Sequence, residues 1–269
     1  MADAVITSAG NTEIKAIRAL ATKKGRSQQN AFLSEGLRHV VEAARAGWRI
    51  KRLVLAEGHA ASPLLDEARR ACLDAEGRVL TITDELMTRV ARRDNAQSVI
   101  AVIERRWADL DRVIPEPGAL WLALEEVRDP GNLGSILRTA DACAVKGVIL
   151  IGNAVDPFSV EAVRATMGAI VNVPLIRVEQ AAFLDWRREW AGRMIATHLD
   201  GTERPEGLRS KAPTVLVMGN EQSGISGILA AACDTLVRIP MRAGSDSLNL
   251  AAATAIMVHA LWLGEDTAQ

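Results

Sequence analysis

Three short segments of this chain combine amide, carboxylate, guanidinium and glycine residues in patterns that are able to do chemistry. In the first, residues 125–140, Gly134 interrupts a helical pattern, which indicates that another group approaches the backbone closely. Asn132 is either a catalytic amide or the N-cap of this helix. Arg138 lies one turn beyond Gly134 and off the apolar stripe, so it is either a functional cation or a solvated surface charge.

The second segment, residues 215–225, is an apolar strand followed by a polar loop that two glycines, Gly219 and Gly224, bracket. Its spacing differs from that of a GxxxxGK(S/T) phosphate loop, a GxGxxG dinucleotide loop and a GxSxG nucleophile elbow. Two interpretations of Glu221 stay open. It is either an acid that the macrodipole favours at a helix start, or a carboxylate that hydrogen-bonds a ligand at the strand end.

The third segment runs from Ile239 to Leu250 and leads into an apolar run that continues to Leu263. Ser247 is the candidate N-cap of the helix that this run predicts. The helix is apolar on nearly every side, so we expect it to be buried in the core or shared with a second subunit. His259, within the run, is interpreted as a core histidine.

Short apolar strands must position these segments. After residue 119 the apolar runs are continuous rather than alternating, and helical patterns separate them, which predicts a parallel sheet with helices on both faces. Ligands of such sheets bind beyond the carboxyl ends of the strands, where the first two segments place their polar residues. The predicted strands are 120–124, 148–151, 173–176, 194–197, 215–218 and 236–239.

Residues 113–119 contain two prolines and a glycine and predict a linker between two domains, 1–112 and 120–269. The N-terminal part alternates helical and strand patterns, which predicts a smaller α/β domain. Its predicted helices are 11–21, 35–46, 62–74 and 84–92, and its predicted strands are 52–56, 79–82 and 98–103.

Composition excludes several classes of protein. The chain has 269 residues, of which 49% are apolar and 24% charged, so it can bury a large core and is neither disordered nor of low complexity. Three scattered cysteines and four histidines without ligand spacing indicate no metal site and no disulfide framework. The sequence shows no signal peptide, and its longest apolar stretch is too short and too rich in alanine for a membrane span, so we expect a cytoplasmic protein that does not enter a membrane.

Charge is distributed unevenly along the chain. Residues 1–112 carry 19 Lys and Arg against 15 Asp and Glu, a net charge of +4, whereas residues 113–269 have a net charge of −5. This difference is either chance variation of the surface or the mark of an anionic partner at the first domain. Part of the positive charge is clustered at Lys23, Lys24 and Arg26.

In this order, the three segments resemble those of the SpoU branch of the SPOUT methyltransferases, which are RNA ribose 2′-O-methyltransferases. The first segment is similar to the family's asparagine motif that ends in an arginine. Gly219-Asn220-Glu221 with Gly224 is similar to the second motif, and Ile239-Pro240-Met241 with Ser247-Leu248-Asn249 to the third. Residues 156–169 also resemble the family, and the likeness covers about residues 120–263.

Two further points qualify this resemblance. A weaker likeness, from Asn30 to Val54, is to the substrate-binding domain related to ribosomal protein L30e that precedes many family members. Cys143-Ala144 stands where family members usually have an aromatic residue and a glycine, which bears on the packing of the first helix and not on the reaction.

The resemblance implies an α/β fold whose parallel-sheet domain contains a deep trefoil knot, with S-adenosylmethionine bound in the knot and no need of a metal. The implied cofactor contacts are Thr197, Gly219, Ile239, Met241 and Leu248. It also implies that Arg138 acts on the ribose 2′-hydroxyl, either as a base or as an electrostatic clamp on phosphate and developing alkoxide. The residues implied to orient the ribose and Arg138 are Asn132, Glu221, Ser247 and Asn249.

We therefore expect a homodimeric methyltransferase that acts on the ribose of a structured RNA, with 23S-type ribosomal RNA favoured by the extra N-terminal domain. Lys23, Lys24 and Arg26 are the expected RNA contacts of that domain. The alternatives are a transfer RNA ribose methyltransferase and a catalytically silent RNA-binding protein. A nucleotide-dependent dehydrogenase is excluded because no strand is followed by GxGxxG.

Overall fold

The structure, a computed structural model, describes residues 5–242 and 247–262. It divides into two compact units, of which the first comprises Met1–Arg105 together with Asp156–Val171, and the second comprises Arg106–Val155 together with Asn172–Gln269. Elements are numbered in chain order. The predicted domains 1–112 and 120–269 stay a prediction. The compact units are defined by packing, and each of them combines two separate stretches of the chain.

The first unit is built on a four-stranded mixed sheet. Its strands are β1 (Ala31–Glu35), β2 (Ile50–Ala56), β3 (Arg78–Ile82) and β4 (Val99–Glu104), in the order β1-β4-β2-β3. Only β2 and β3 are parallel to each other, and β4 is antiparallel to both of its neighbours. The helices are α1 (Thr12–Ala19), α2 (Lys23–Gln29), α3 (Leu37–Arg45), α4 (Pro63–Asp74), α5 (Asp84–Ala91) and α7 (Val160–Thr166).

Two elements of the first unit differ from the sequence prediction. The predicted helix 11–21 ends at Ala19, and a separate helix, α2, begins at Lys23 because Thr22 caps it by accepting from the Gly25 amide at 3.0 Å. Gly25 lets the two helices meet, since a Cβ there would lie 2.0 Å from the carbonyl oxygen of Ala19. Strand β1 was not predicted, and it pairs with β4 along its full length.

The second unit confirms the predicted parallel sheet. Its strands are β5 (Leu120–Glu125), β6 (Val148–Ile151), β7 (Leu175–Val178), β8 (Arg193–Thr197), β9 (Thr214–Met218) and β10 (Thr235–Val237). They are all parallel, in the order β10-β8-β9-β5-β6-β7. The helices are α6 (Pro130–Ala142), α8 (Gln180–Glu189), α9 (Gly227–Ala232) and α10 (Leu250–Leu261).

Burial explains why these strands are continuously apolar. Every residue of β5, β6 and β9 is buried, as expected for strands that helices cover on both faces. Strand β7 begins at Leu175, two residues later than predicted, immediately after Pro174, which has no amide hydrogen for the ladder. Strand β10 ends at Val237, two residues earlier than predicted, where its partner β8 also ends at Thr197. Leu263, the predicted end of the last apolar run, lies outside the described residues, as do residues 243–246 of the third segment.

Within the part of the chain that the structure describes, no helix is both long and apolar enough to cross a membrane.

Candidate active site

The polar loop after β9 is held by its own backbone. The amide of Asn220 donates to the carbonyl of Gly224, and the amide of Gly224 donates back to Asn220, both at 3.1 Å. Gly224 has a φ of +67°, and a Cβ on Gly219 would lie 1.9 Å from the carbonyl carbon of Gly224. The two glycines of the motif are therefore required by the turn itself.

The Asn220 side chain completes this turn, a role that the sequence did not reveal. Its Oδ1 accepts from the amides of Gln222 and Ser223 at 2.9 and 2.8 Å. This arrangement places Glu221 in a turn and not at a helix start, so the helix-start interpretation of Glu221 was wrong. The interpretation that remains is a carboxylate presented at the end of a parallel strand.

Helix α6 begins two residues earlier than predicted, and Asp129 is its N-cap. Asp129 Oδ1 accepts from the amide of Asn132 at 2.6 Å, and Pro130 occupies the first helical position. The N-cap interpretation of Asn132 is therefore wrong, which leaves its side chain available for other partners. Pro130 is the sequence signal that places the cap one residue before it.

The side chain of Asn132 joins the first segment to the second. Its Nδ2 donates to Glu221 Oε1 at 2.9 Å. The backbone amides of Arg128 and Asp129, just before α6, also point at the Glu221 carboxylate, at 3.4 Å each. Glu221 thus receives donors from the N-terminal end of α6, where the partial positive charge of the helix favours an anion.

Asn249 joins the third segment to the first. It is the N-cap of α10, since its Oδ1 accepts from the amides of Ala251 and Ala252 at 2.9 and 3.2 Å, so the prediction of Ser247 as N-cap was wrong. Its Nδ2 donates to Asn132 Oδ1 at 2.8 Å. We call the directional chain Asn249 to Asn132 to Glu221 the amide relay.

The donors around Glu221 favour its ionised form. Partial burial raises the pKa of its carboxyl, but the hydrogen bonds from the Asn132 side chain and from the amides of Arg128 and Asp129 outweigh burial, so the pKa lies below its ordinary value. At neutral pH Glu221 is therefore a carboxylate with its donors fixed in place. Such a group can accept a hydrogen bond from a ligand hydroxyl or face a cation.

A cavity of about 510 Å³ lies beyond the ends of β8, β9 and β10. The residues predicted to contact the cofactor all line it; they are Thr197, Gly219, Ile239, Met241 and Leu248. Glu221 and Ser247 line the same cavity. Its volume falls within the range of about 300–1,000 Å³ that small-molecule sites occupy.

Some residues of this cavity were missed at the sequence level. His198, Asp200 and Arg238 line it; His198 and Arg238 follow directly on β8 and β10, and Asp200 lies three residues after β8. Their position just after strand ends was the available signal. Glu125, at the end of β5, is a further missed residue: its buried carboxylate accepts from the Ser226 amide at 2.7 Å and fixes the chain that follows the polar loop.

Arg138 is exposed on α6 and stands apart from the amide relay. Within residues 5–242 and 247–262 its guanidinium makes no hydrogen bond and no ion pair. It lies six residues, or about 9 Å of helix rise, beyond Asn132. The structure therefore joins Asn132, Glu221 and Asn249 directly and leaves Arg138 free to meet a ligand. Ser247 is also exposed, beside the cavity.

The basic cluster Lys23, Lys24 and Arg26 of the first unit contains both exposed and buried residues. Lys23 and Lys24 are exposed. Arg26 is only 4% exposed: its Nε pairs with Asp156 Oδ2 at 2.8 Å and its Nη1 donates to the Leu20 carbonyl at 2.9 Å. The prediction of Arg26 as an RNA contact is therefore corrected, since its charge is already neutralised inside the unit.

Comparison with known proteins gives the family. A model of the SpoU rRNA Methylase family matches residues 119–259, and a model of the MRM3-like substrate binding domain matches residues 11–101. The chain is 31% identical to the 23S rRNA (uridine(2479)-2′-O)-methyltransferase of Streptomyces viridochromogenes, over 90% of this chain and 86% of that one. It is 28% identical to the 23S rRNA (guanosine(2553)-2′-O)-methyltransferase of Bacillus subtilis, over 95% and 98%.

A solved structure agrees with both matches. The AdoMet-bound rRNA methyltransferase from Sinorhizobium meliloti superposes with a TM-score of 0.89 at 41% identity, and the alignment covers 96% of each chain. The family model spans the three segments that meet at the amide relay and the cavity. The chain is thus a member of the SpoU rRNA methylase family.

Proposed function

We propose that this protein transfers a methyl group from S-adenosylmethionine to a ribose 2′-hydroxyl of ribosomal RNA. The observation that carries the proposal is the amide relay, which ends at Glu221 in the wall of a cavity lined by the five expected cofactor residues. The named relatives support it, since both are 23S rRNA 2′-O-methyltransferases.

The residues of the cavity fit S-adenosylmethionine. Ile239, Met241 and Leu248 offer apolar surface for the adenine ring, and the tight turn at Gly219 offers backbone groups for its edge. The carboxylates of Asp200 and Glu221 suit a ligand that carries an ammonium and a sulfonium. The bound cofactor supplies an electrophilic methyl group on that sulfonium.

The amide relay positions Glu221, and the side-chain amides of Asn132 and Asn249 are fully used in hydrogen bonds within the protein. Asn249 uses its Oδ1 on helix α10 and its Nδ2 on Asn132, while Asn132 uses its own Oδ1 and Nδ2 on the two ends of the relay. Asn132 and Asn249 therefore act as positioning residues. Glu221 and Ser247 remain to contact the ribose, because both line the cavity.

Arg138 stabilises negative charge in this proposal. A guanidinium stays protonated in proteins, so it is poorly suited to remove the hydroxyl proton itself. Its five donors suit a bidentate contact with the adjoining phosphate and with the alkoxide that develops on O2′. The exposure of Arg138, without a protein partner within the described residues, supports a role in which the ligand is its partner.

Recognition of the ribose rather than the base agrees with the relatives. One acts on a uridine and the other on a guanosine, whereas both modify the 2′-oxygen. The relay and Arg138 offer contacts that every nucleotide can satisfy. The identity of the nucleotide must then depend on other surfaces, which include the first unit.

A homodimer is part of the proposal. Along α10, Ile256 is 42% exposed, and Ala252 and His259 are exposed on the same face, so the interpretation of His259 as a core histidine was wrong. A two-fold interface would cover this stripe with its own copy. We expect light scattering to give a dimer for the native chain and a monomer for Ile256→Asp; a native monomer at micromolar concentration contradicts the dimer.

The trefoil knot is also proposed. Strand β10 lies at the outer edge of the sheet beyond β8, whereas α10 packs against α6 and β9 nearer the middle. These positions support the proposal, because the chain between β10 and α10 leads from the edge of the sheet back toward its middle. Residues 243–246 of that connection lie outside the described residues.

The test is methyl transfer from radiolabelled S-adenosylmethionine to ribosomal and transfer RNA purified from cells that lack this protein, followed by mapping of 2′-O-methyl sites. We expect one ribose of the large ribosomal RNA to be labelled. We also propose that the enzyme acts in the cytoplasm. Label on a base contradicts the assigned chemistry, and label on transfer RNA alone contradicts the assigned substrate.

A further inference from the structure

A second concave surface lies in the first unit, and none of the residues that line it has been assigned a role above. It has a volume of about 420 Å³ and lies where the last turns of α1 and α5 meet. We call it the basic cleft, because the charged residues that line it are all cations: Lys15, Arg18, Arg89 and Arg92. The other lining residues are Ala19, Ala21 and Val90.

The folding of the two helices brings these cations together. On α1, Ile14 and Ile17 are buried, which turns their neighbours Lys15 and Arg18 outward, one turn apart. On α5, Arg89 lies in the last turn, and Arg92 follows as the C-cap with a φ of +58°. All four side chains are exposed at the surface of the unit.

The charge of the cleft is not balanced by the protein. Arg89 pairs with Glu85 at 2.6 Å, but both partners are exposed, and such pairs contribute little. Lys15, Arg18 and Arg92 have no ion pair among the described residues. The C-terminal ends of two helices do favour cations. That effect explains one basic residue in the last turn of each helix, but it does not explain four cations around one concavity whose lining residues include no carboxylate.

We propose that the basic cleft binds backbone phosphates of the RNA substrate, a proposal that rests on the proposed function and names the docking surface of the first unit. Arginine forks match phosphate oxygens bidentately, and three of the four cations are arginines. No aromatic side chain lines the cleft, so it has no platform for stacking bases. It therefore positions the RNA without reading its sequence.

The cleft also gives a place to the two exposed lysines predicted from the sequence. Ala21 lines the cleft, and Lys23 and Lys24 follow it at the start of α2. The phosphate-binding surface thus continues from the cleft onto α2, whereas Arg26 of the same cluster turns inward to Asp156.

The experiment uses the full chain and a labelled RNA hairpin of arbitrary sequence, without cofactor, at a series of salt concentrations. The cleft variant is Lys15→Gln with Arg18→Gln and Arg92→Gln. The control variant, Arg45→Gln with Arg69→Gln and Arg70→Gln, removes the same charge from α3 and α4. Circular dichroism and thermal unfolding verify that both variants are folded.

The expected result is a weaker and less salt-dependent complex for the cleft variant alone. Three lost phosphate contacts reduce the slope of log K against log salt by about 2 to 3. Equal slopes for the cleft variant and the native chain overturn the proposal, and so does an equal loss in the control variant, which would show a general effect of net charge. Equally tight, equally cleft-dependent binding of poly-glutamate overturns RNA as the occupant.

Failure of the cleft is distinguishable from failure of the proposed function. Single-turnover methylation of the ribosomal RNA at saturating concentration should be unchanged in the cleft variant, whereas the RNA concentration for half-maximal rate should rise at least about tenfold, the equivalent of 1.4 kcal/mol. If the native chain binds the hairpin through the cleft but methylates no RNA, the proposal for the cleft stands and only the proposed function is overturned.

Discussion

The Nδ2 of Asn249 donates to the Oδ1 of Asn132 across 2.8 Å, although 117 positions separate the two residues in the sequence. The direction of this bond is set by helix α10, because the backbone amides of Ala251 and Ala252 occupy the oxygen of Asn249. Asn132 must then present its nitrogen to Glu221. One helix cap thus fixes the orientation of a carboxylate on a different loop.

The relay predicts that an isosteric change at Asn132 is harmful. Asn132→Asp places a second carboxylate against Glu221, and like charges at this distance oppose each other's ionisation. We expect kcat/KM for methyl transfer to fall at least about tenfold, or 1.4 kcal/mol in transition-state stabilisation. Cofactor binding by calorimetry should persist.

Asn172→Asp is the matched control for this change. Asn172 also donates its Nδ2 to a carboxylate, Asp141, at 3.2 Å, but on the exposed surface and outside the relay. Methyl transfer by this variant should equal that of the native chain. An equal loss in both variants would show that the relay has no special role.

The lowered pKa of Glu221 predicts a pH dependence of stability. A carboxyl whose pKa is lower in the folded state than in the unfolded state stabilises the fold above its unfolded pKa, and this contribution is lost as pH falls through the folded pKa. Denaturant unfolding of the native chain and of Glu221→Gln should therefore show a stability difference that is constant near neutral pH and changes only in the acid range.

The comparison for Glu221 is the exposed helix residue Glu189, which makes no ion pair among the described residues. Glu189→Gln removes the same charge without touching the relay. If its stability difference from the native chain follows the same acid profile as that of Glu221→Gln, the hydrogen bonds of the relay are not the cause.

The backbone of the polar loop predicts that Gly219 tolerates no side chain. Gly219→Ala places a Cβ within 2.1 Å of the Ile225 amide nitrogen, and the backbone of Gly224 and Ile225 cannot yield as a flexible side chain would. We expect a loss of at least about 2 kcal/mol in the free energy of unfolding, together with weaker cofactor binding. Gly227→Ala, where a Cβ meets nothing within 4 Å, is the control and should be close to neutral.

The sequence predicted the parallel sheet well, because each strand is buried on both faces and is therefore continuously apolar. Strand β1 escaped prediction because it contains Ser34 and Glu35 and is defined only by pairing with β4, about 70 residues away. The position of residues 156–171 in the first unit was equally hidden. It depends on long-range contacts, such as Phe32 with Phe158 at 5.0 Å between ring centroids.

The sequence predicted which residues form the candidate site, but not which hydrogen bonds join them. Asp129 and Asn132 are both good capping types, as are Ser247 and Asn249, and local propensity does not choose between them. The choice is made in the second unit by tertiary contacts, since Asn132 is needed by Glu221 and Asn249 by Asn132. Arg26 was misjudged for a related reason, because its partner Asp156 lies 130 positions away.

Ala144 offers a prediction about stability. It follows the end of α6 with a φ of +49°, in the left-handed region that favours glycine, and it is exposed. This is the position at which the family usually has glycine. Ala144→Gly should raise the free energy of unfolding by about 0.5–1 kcal/mol, the strain relieved less the added freedom of the unfolded chain. A decrease measured by denaturant titration would show that the backbone is not strained there.

Arg138 gives the sharpest test of the proposed chemistry. Because its side chain is exposed and without a partner among the described residues, Arg138→Ala should change the free energy of unfolding by no more than about 0.5 kcal/mol. Cofactor binding should be retained, since Arg138 is not part of the cavity wall.

Single-turnover methyl transfer by Arg138→Ala should fall at least about 10²-fold, the scale of the rate loss when one preorganised donor is removed. Arg138→Lys should restore little, because an ammonium cannot replace a bidentate guanidinium. Near-normal turnover by the alanine variant would remove Arg138 from the mechanism and leave Glu221 as the group that acts on the hydroxyl.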